Sequence, residues 1–166
     1  MRIYDQIPTP ADFVKINCDV CLKTDGWIGL RVAARNVAGE VPFAGVRQVR
    51  GFWPPEVAEC RALLFGVKLA LKYGYKKVIL ESDCQHIITR LSKASTFLTD
   101  LDSVFNDIFS ICSSFDYVHW SYVKRDESFI AHHLASVVLF SSEQVWENFC
   151  PSVISPYVLM DKLSND

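Results

Sequence analysis

The segment Val78-Ile79-Leu80-Glu81-Ser82-Asp83-Cys84-Gln85 reads as a short strand that runs into a helix. Its apolar residues follow one another without alternation, which is typical of a strand buried on both faces in the middle of a parallel or mixed sheet. Ser82 predicts a helix N-cap, and Asp83 then lies in the first turn of the helix. A carboxylate is thereby set at the carboxyl end of a central strand, where α/β folds place ligand sites. Alternatively, Asp83 only complements the helix dipole.

The composition bounds the class of protein. The chain has 166 residues, enough for one domain that buries about two thirds of its unfolded surface, and 50% of them are hydrophobic. A net charge of −2 gives no overall basic field, so any nucleic-acid binding has to use a local patch. No apolar run reaches the roughly 18 residues of a membrane span, and the N-terminus lacks the sections of a signal peptide. We expect no membrane association, a nuclear or cytoplasmic location and reduced cysteines.

Three strands are predicted before the first helix. Residues 1–11 are a lead-in, and from Val14 apolar and polar residues alternate with period two, which indicates a strand. Turn signals separate this strand from predicted strands at residues 27–35 and 40–49. Three strands joined by tight turns form an antiparallel meander.

A long apolar helix follows the meander. Pro54 and Pro55 predict its start, and Gly74 predicts its end after about Tyr73. Since the helix is apolar almost all round, we expect it to be largely buried. Glu59 lies in its first turns, where an unpaired buried carboxylate costs several kcal/mol. A cation, the helix N-terminus or a metal has to offset that cost, unless the side chain is half solvated near the helix start.

The remaining elements complete an α/β layer fold. After the central strand we predict helices over about 84–93 and 99–113, a fifth strand over 117–123, and a last helix over about 129–142. The order β-β-β-α-β-α-α-β-α predicts one mixed five-stranded sheet, an antiparallel meander followed by parallel strands, flanked by helices.

Four short motifs occur in order along these elements. They are Lys15-Ile16-Asn17-Cys18-Asp19, Ala58-Glu59, Glu81-Ser82-Asp83-Cys84-Gln85, and Arg125 with Ala131-His132-His133-Leu134-Ala135. In residue type and spacing they resemble the motifs of plant ribonuclease H-like domains, which are related to those of retrotransposon reverse transcriptases. The resemblance covers roughly residues 12–140. It implies a ribonuclease H-like fold, for which we assign a domain at residues 12–141.

The resemblance also implies a chemistry, namely cleavage of the RNA strand of RNA–DNA hybrids by two metal ions. Two Mg²⁺ ions about 4 Å apart clamp the scissile phosphate, and such hard cations prefer carboxylate oxygens. By resemblance, Asp19, Glu59 and Asp83 are metal ligands and catalytic residues, and His132 occupies the fourth ligand position. Imidazole suits Mn²⁺ better than Mg²⁺, so Mn²⁺ is a second candidate ion. Alternatively, His132 is only a polar residue at a helix start.

Candidate contacts to the nucleic acid lie near this site. Hybrids are recognised through their backbone, 2′-hydroxyl groups and groove shape, which requires hydrogen-bond donors and cations along a groove. The candidates are Asn17, Ser82, Gln85, Lys124 and Arg125.

Two departures from the family pattern weaken the expectation of catalysis. Val20 follows Asp19 where the family usually has glycine, and its branched side chain is expected to crowd the nucleic-acid backbone. The loop over residues 124–128 has no histidine to shuttle protons. Two hypotheses therefore stand: a metal-dependent endoribonuclease, or a catalytically weakened module that binds nucleic acid or protein.

The C-terminal extension, residues 142–166, lies outside the resemblance. It is rich in apolar residues such as Trp146 and Tyr157 but is interrupted by Pro151 and Pro156. We expect it to pack back on the domain. Alternatively, it forms a surface for a protein partner or for self-association.

Overall fold

A mixed sheet forms the centre of the molecule. The computed structural model describes residues 12–22, 26–93, 101–124 and 143–147. Its strands are β1 (Val14–Leu22), β2 (Trp27–Arg35), β3 (Phe43–Arg50), β4 (Lys77–Ser82), β5 (Tyr117–Tyr122) and β6 (Glu143–Glu147). Its helices are α1 (Pro55–Lys72), α2 (Gln85–Ser92) and α3 (Asp102–Cys112). The strand order is β5-β4-β1-β2-β3-β6, with parallel pairing at β5-β4-β1 and antiparallel pairing in the rest.

This architecture confirms the predicted α/β fold and adds a sixth strand. The additional strand β6 pairs with the edge of β3, and it lies inside the C-terminal extension. Its five residues are too few to show a strand period, and their partial exposure is typical of a sheet edge. The predicted helix over 129–142 lies outside the described residues. The domain boundaries at 11/12 and 141/142 stay predictions.

The turn between β2 and β3 sets where β3 begins. The Asn36 side-chain oxygen accepts hydrogen bonds from the backbone N–H groups of Ala38 and Glu40, both at 3.0 Å. These bonds hold the chain in a compact turn, which asparagine favours because its side chain bonds the backbone nearby. The strand accordingly begins at Phe43, three residues later than predicted.

One face of the sheet, the helix-covered face, is apolar. It consists of alternate strand residues that are fully buried: Val14, Ile16, Cys18, Val32, Val78 and Leu80. Helix α1 packs on it at very short range, because a Cβ added at Gly66 would lie only 2.7 Å from Cys18 Sγ and 3.2 Å from Ile16 Cγ2. Glycine at position 66 therefore sets the distance between α1 and the sheet.

The opposite face carries the intervening strand residues and is polar although it is buried. We call it the charged face; it includes Asn17, Asp19, Arg31, Arg35 and Glu81. The register opposes Asp19 to Arg31 across the β1–β2 pair and aligns Asn17 with Glu81 across the β1–β4 pair. Successive residues of one strand thus face a hydrophobic core on one side and charges on the other.

Among the helices that the structure describes, none has both the length and the hydrophobicity required to cross a bilayer.

Candidate metal centre

Asp83 lies in the turn that joins β4 to α2. The hydroxyl oxygen of Ser82 accepts a hydrogen bond from the backbone N–H of Cys84 at 3.1 Å, which stabilises this turn. The N-cap of α2 is Cys84, so the prediction that Ser82 caps the helix is wrong. Asp83 consequently precedes the helix instead of lying in its first turn. It keeps the predicted place at the carboxyl end of a central strand, where its side chain is half-buried.

Asp19 lies beside Asp83 because β1 and β4 run parallel. Asn17 is aligned with Glu81 in that pair, and continuing the register by two residues brings Asp19 level with Asp83. The Asp19 carboxylate is 1% exposed, and its Oδ1 accepts a hydrogen bond from the N–H of Val20 at 2.7 Å. This bond fixes the orientation of the carboxylate.

Helix α1 brings Glu59 to the same place. Glu59 precedes Gly66 by seven residues, which is two helical turns, so both residues lie on the face of α1 that contacts the sheet. Asp19, Glu59 and Asp83 each offer a carboxylate oxygen, and these oxygens all lie within 4.8 Å of one another. The predicted convergence of the three acids is therefore present in the structure.

The negative charge of this cluster contributes to raised pKa values of two neighbouring thiols, Cys18 and Cys84. The pKa of Cys18 is raised well above its ordinary value, mainly by burial and additionally by the charges of Glu59, Glu81 and Asp19. Burial also raises the pKa of Cys84, with Glu59 and Asp83 among the charges that add to the effect. Converging carboxylates of this kind repel one another unless a cation lies among them. The donor set is all oxygen and anionic, so it fits a hard divalent cation.

Arginines that the sequence interpretation overlooked lie next to these acids. Arg31 Nη1 is 3.9 Å from Asp19 Oδ2, with both side chains almost completely buried. Arg35 Nη2 is 3.8 Å from Glu81 Oε1 on the same face of the sheet. The available signal was an arginine inside the otherwise apolar run Ile28–Ala34. A buried arginine at such a position requires an acidic partner.

The predicted nucleic-acid contacts divide into buried and exposed residues. Asn17 is 5% and Ser82 0% exposed, and their contacts to a nucleic acid stay predictions. Gln85 and Lys124 are exposed. Arg125 and the candidate ligand His132 lie outside the described residues.

The side chain of Val20 lies in the core. It is 5% exposed and belongs to the hydrophobic cluster beneath α1. The expectation that Val20 crowds a nucleic-acid backbone is therefore wrong. Neighbouring residues of a strand point to opposite faces of the sheet, so the methyl groups of Val20 point into the core when Asp19 lies on the charged face.

Comparisons with known proteins agree with this architecture. A family described as reverse transcriptase-like matches residues 17–138. The search of curated proteins gave no match.

Several solved ribonucleases H share the fold. The N-terminal ribonuclease H domain of a Mycobacterium tuberculosis protein, solved as a fusion with maltose-binding protein, has a TM-score of 0.67 at 20% identity, covering 74% of this chain and 89% of that one. Ribonuclease H1 from Halobacterium salinarum has a TM-score of 0.64 at 19% identity, covering 70% and 89%. LC11-RNase H1, solved in complex with an RNA/DNA hybrid, has a TM-score of 0.65 at 18% identity, covering 73% and 92%. At these identities the similarity establishes a common fold.

Proposed function

The chain belongs to the reverse transcriptase-like family and has a ribonuclease H-like fold, and we propose that it cleaves the RNA strand of RNA–DNA hybrids with divalent metal ions. The observation that carries this proposal is the convergence of Asp19, Glu59 and Asp83, whose oxygens lie within 4.8 Å of one another. The substrate class is supported by a neighbour of the same fold that was solved in complex with an RNA/DNA hybrid.

The three acids have distinct structural roles in this proposal. Asp19 is held rigid by the N–H of Val20 on a central strand, Asp83 comes from the turn after the adjacent strand, and Glu59 comes from a helix. Ligands carried by a strand, a helix and a hydrogen-bonded turn hold the positions of bound ions, as precise phosphate chemistry requires. When two ions are bound, they supply an activated water and positive charge at the leaving 3′ oxygen. We propose Mg²⁺ as the ion, with Mn²⁺ as the alternative that His132 favours as fourth ligand.

Two exposed residues and Arg125 are proposed to contact the substrate. Gln85 and Lys124 present their side chains to solvent, and we extend this role to Arg125. Since the net charge is −2, binding rests on few cations and is expected to weaken as salt concentration rises. A nuclear or cytoplasmic location follows from this substrate class as part of the proposal. The C-terminal extension is proposed to pack on the domain, with a protein partner or self-association as the alternative.

The test is a cleavage assay on a hybrid with labelled RNA, in Mg²⁺ and separately in Mn²⁺. Asp19→Asn is expected to abolish cleavage because it removes the charge of a ligand. Asp107→Asn, which makes the same change at an exposed carboxylate on α3, is the matched control and is expected to cut normally. Cleavage only in Mn²⁺ would support His132 as a weak fourth ligand. If the folded protein cuts in neither metal, the enzyme proposal is wrong.

A second candidate function is a weakened module that binds hybrids without cutting them. The observation that favours it is the ion pair of Arg31 with Asp19, because a cation already lies 3.9 Å from the carboxylate of that proposed ligand. The two functions are separated by measuring binding of the same hybrid in EDTA. Retained binding without cleavage in either metal would favour the module.

A further inference from the structure

Arg31 is a charged side chain in the interior of the protein. It lies near the middle of β2, is 2% exposed and ranks among the largest fully buried side chains of the described chain. Moving a guanidinium out of water is costly unless an anion faces it. The register supplies that anion, since Arg31 is directly opposite Asp19, and Nη1 and Oδ2 are 3.9 Å apart.

The two oxygens of Asp19 have different surroundings. Oδ1 accepts the hydrogen bond from the N–H of Val20, whereas Oδ2 faces the guanidinium of Arg31. Arg35, a second arginine on the charged face, lies 3.8 Å from Glu81. The guanidinium of Arg31 thus lies beside Asp19 before any metal binds.

The charge of Arg31 has opposite consequences for the protein with and without metal. In the metal-free protein it offsets the repulsion among Asp19, Glu59 and Asp83, which carry three negative charges within a few ångströms. When a divalent cation approaches Asp19, the same guanidinium repels it. Salt and water screen this repulsion poorly because both partners of the ion pair are almost completely buried.

We propose that Arg31 is an internal counter-ion of the acidic cluster, which stabilises the metal-free fold and weakens the binding of divalent ions at Asp19. This inference rests on the metal centre of the proposed function but does not require hydrolysis. Arg31 acts through Asp19 and is a positioning residue. The affinity of this site for divalent ions is set by Arg31 as well as by its ligands.

The first test measures Mn²⁺ affinity by isothermal titration calorimetry on the full chain, without substrate. Arg31→Met, which removes the charge but keeps an apolar side chain of similar length, is expected to bind Mn²⁺ about tenfold or more tightly, equivalent to about 1.4 kcal/mol. Arg31→Lys keeps the charge and is expected to keep the affinity near that of the unmodified protein. Arg35→Met is the matched control on the same strand and face, and its affinity is expected to be unchanged.

The second test measures thermal unfolding in EDTA and in Mn²⁺. Arg31→Met leaves the buried Asp19 carboxylate without its arginine, so its midpoint in EDTA is expected to fall, and Mn²⁺ is expected to raise that midpoint more than it does for the unmodified protein. If this variant does not fold in EDTA, the double variant Asp19→Asn/Arg31→Met, which removes both charges, is expected to fold and to gain nothing from Mn²⁺. Failure of the double variant to recover stability would overturn the counter-ion role.

The outcomes separate this inference from the proposed function. Equal Mn²⁺ affinity in the unmodified protein and Arg31→Met overturns the inference and leaves the proposed nuclease intact. Binding by Arg31→Met alone supports the inference but contradicts a metal-dependent nuclease in the natural chain. If neither protein binds Mn²⁺, the inference and the metal centre both fail.

Discussion

The two faces of the central sheet are built from the same strands and differ completely in chemistry. On the helix-covered face, Ile16, Cys18 and Leu80 are fully buried under α1. On the charged face, Asp19 and Arg31 are equally buried but carry charge. Because strand residues alternate between faces, a shift of one residue exchanges a core position for a charged one. Period two thus lets one short strand provide both the hydrophobic core and the acid of the site.

The two faces also differ in what they contribute to stability. Apolar burial contributes roughly 25 cal/mol for each Å² removed from water. A buried ion pair gives little net stability, because the cost of desolvating both charges is comparable to their attraction. On the helix-covered face, stability should therefore fall when a buried side chain is made smaller. On the charged face, stability should fall when one member of an ion pair loses its charge. Four predictions test this difference, in order of decreasing effect.

The largest effect is expected from Leu63→Ala on the helix-covered side. Leu63 is 0% exposed and lies one turn before Gly66 on α1. Removal of its side chain leaves a cavity, so the free energy of unfolding should fall by about 2–5 kcal/mol. Urea denaturation measures it, and the loss should be the same in EDTA and in Mn²⁺. Leu71→Ala, at an exposed leucine of the same helix, is the control and should change stability little. Equal losses at both positions would contradict the packing described here.

On the charged face, a smaller effect is expected from Glu81→Gln. The change removes the carboxylate charge that lies 3.8 Å from the largely buried Arg35 guanidinium, and weakening the pairing of a buried polar group costs about 1–3 kcal/mol. We expect a loss within that range by urea denaturation. In an Arg35→Met background the same substitution should cost much less, because the cation is already absent. An unchanged cost in that background would show that Arg35 and Glu81 are not coupled.

Local sequence pattern was sufficient for most of the fold. Alternation from Val14 and the two turn signals gave the meander, and Pro55 and Gly74 bracketed α1. These signals are local, because the spacing of apolar residues and the backbone preferences of proline and glycine do not depend on which other segment the element packs against. Asp19 and Glu59 were assigned to the site through the resemblance to the family, because no local sequence pattern indicates that these two acids lie close together.

Several contacts between two separated segments were not predicted. The pairing of Asp19 with Arg31 follows from the register of β1 and β2, and the contact of Gly66 with Cys18 follows from the approach of α1 to the sheet. The strand β6 requires the exposed edge of β3 as a partner. The Ser82 prediction failed for a local reason, since its hydroxyl closes the turn before the helix instead of capping the helix.

The distance between α1 and the sheet is tested by Gly66→Ala. The added Cβ would meet Cys18 Sγ at 2.7 Å, so the helix or the strand has to shift. Overpacking costs about 1–3 kcal/mol and the better helix propensity of alanine returns about 1 kcal/mol, so we expect a net loss of about 1 kcal/mol. Cys18→Ala removes the nearer of the two close atoms and leaves Ile16 Cγ2 at 3.2 Å, so Gly66→Ala should cost less in that background, as measured by urea denaturation of all four proteins. A strictly additive double variant would contradict this contact.

The smallest effect is expected at the exposed ion pair of Asp12 with Lys77, which lies at the other end of β4 from Asp83. Lys77 Nζ donates a hydrogen bond to Asp12 Oδ2 at 2.5 Å, which lowers the pKa of Asp12 below 3.8 and raises that of Lys77 above 10.5. The stabilisation of the folded state by this ion pair is therefore fully present between pH 3.8 and pH 10.5, the ordinary pKa values of the two groups. It is lost as pH falls through the lowered pKa of Asp12 or rises through the raised pKa of Lys77.

Thermal unfolding of Asp12→Asn tests this last prediction. The variant should melt slightly below the unmodified protein at neutral pH, and the difference should vanish in strong acid and shrink in about 1 M salt, where screening extends to about 3 Å. The comparison is with Glu81→Gln, which breaks the Arg35–Glu81 pair. The side chains of that pair are only 14% and 9% exposed, so high salt should reduce the stability loss of Glu81→Gln less. If high salt weakens both pairs equally, burial on the charged face does not protect its charges from solvent. The inference about Arg31 would then lose its physical basis, since that inference also requires charges that salt cannot screen.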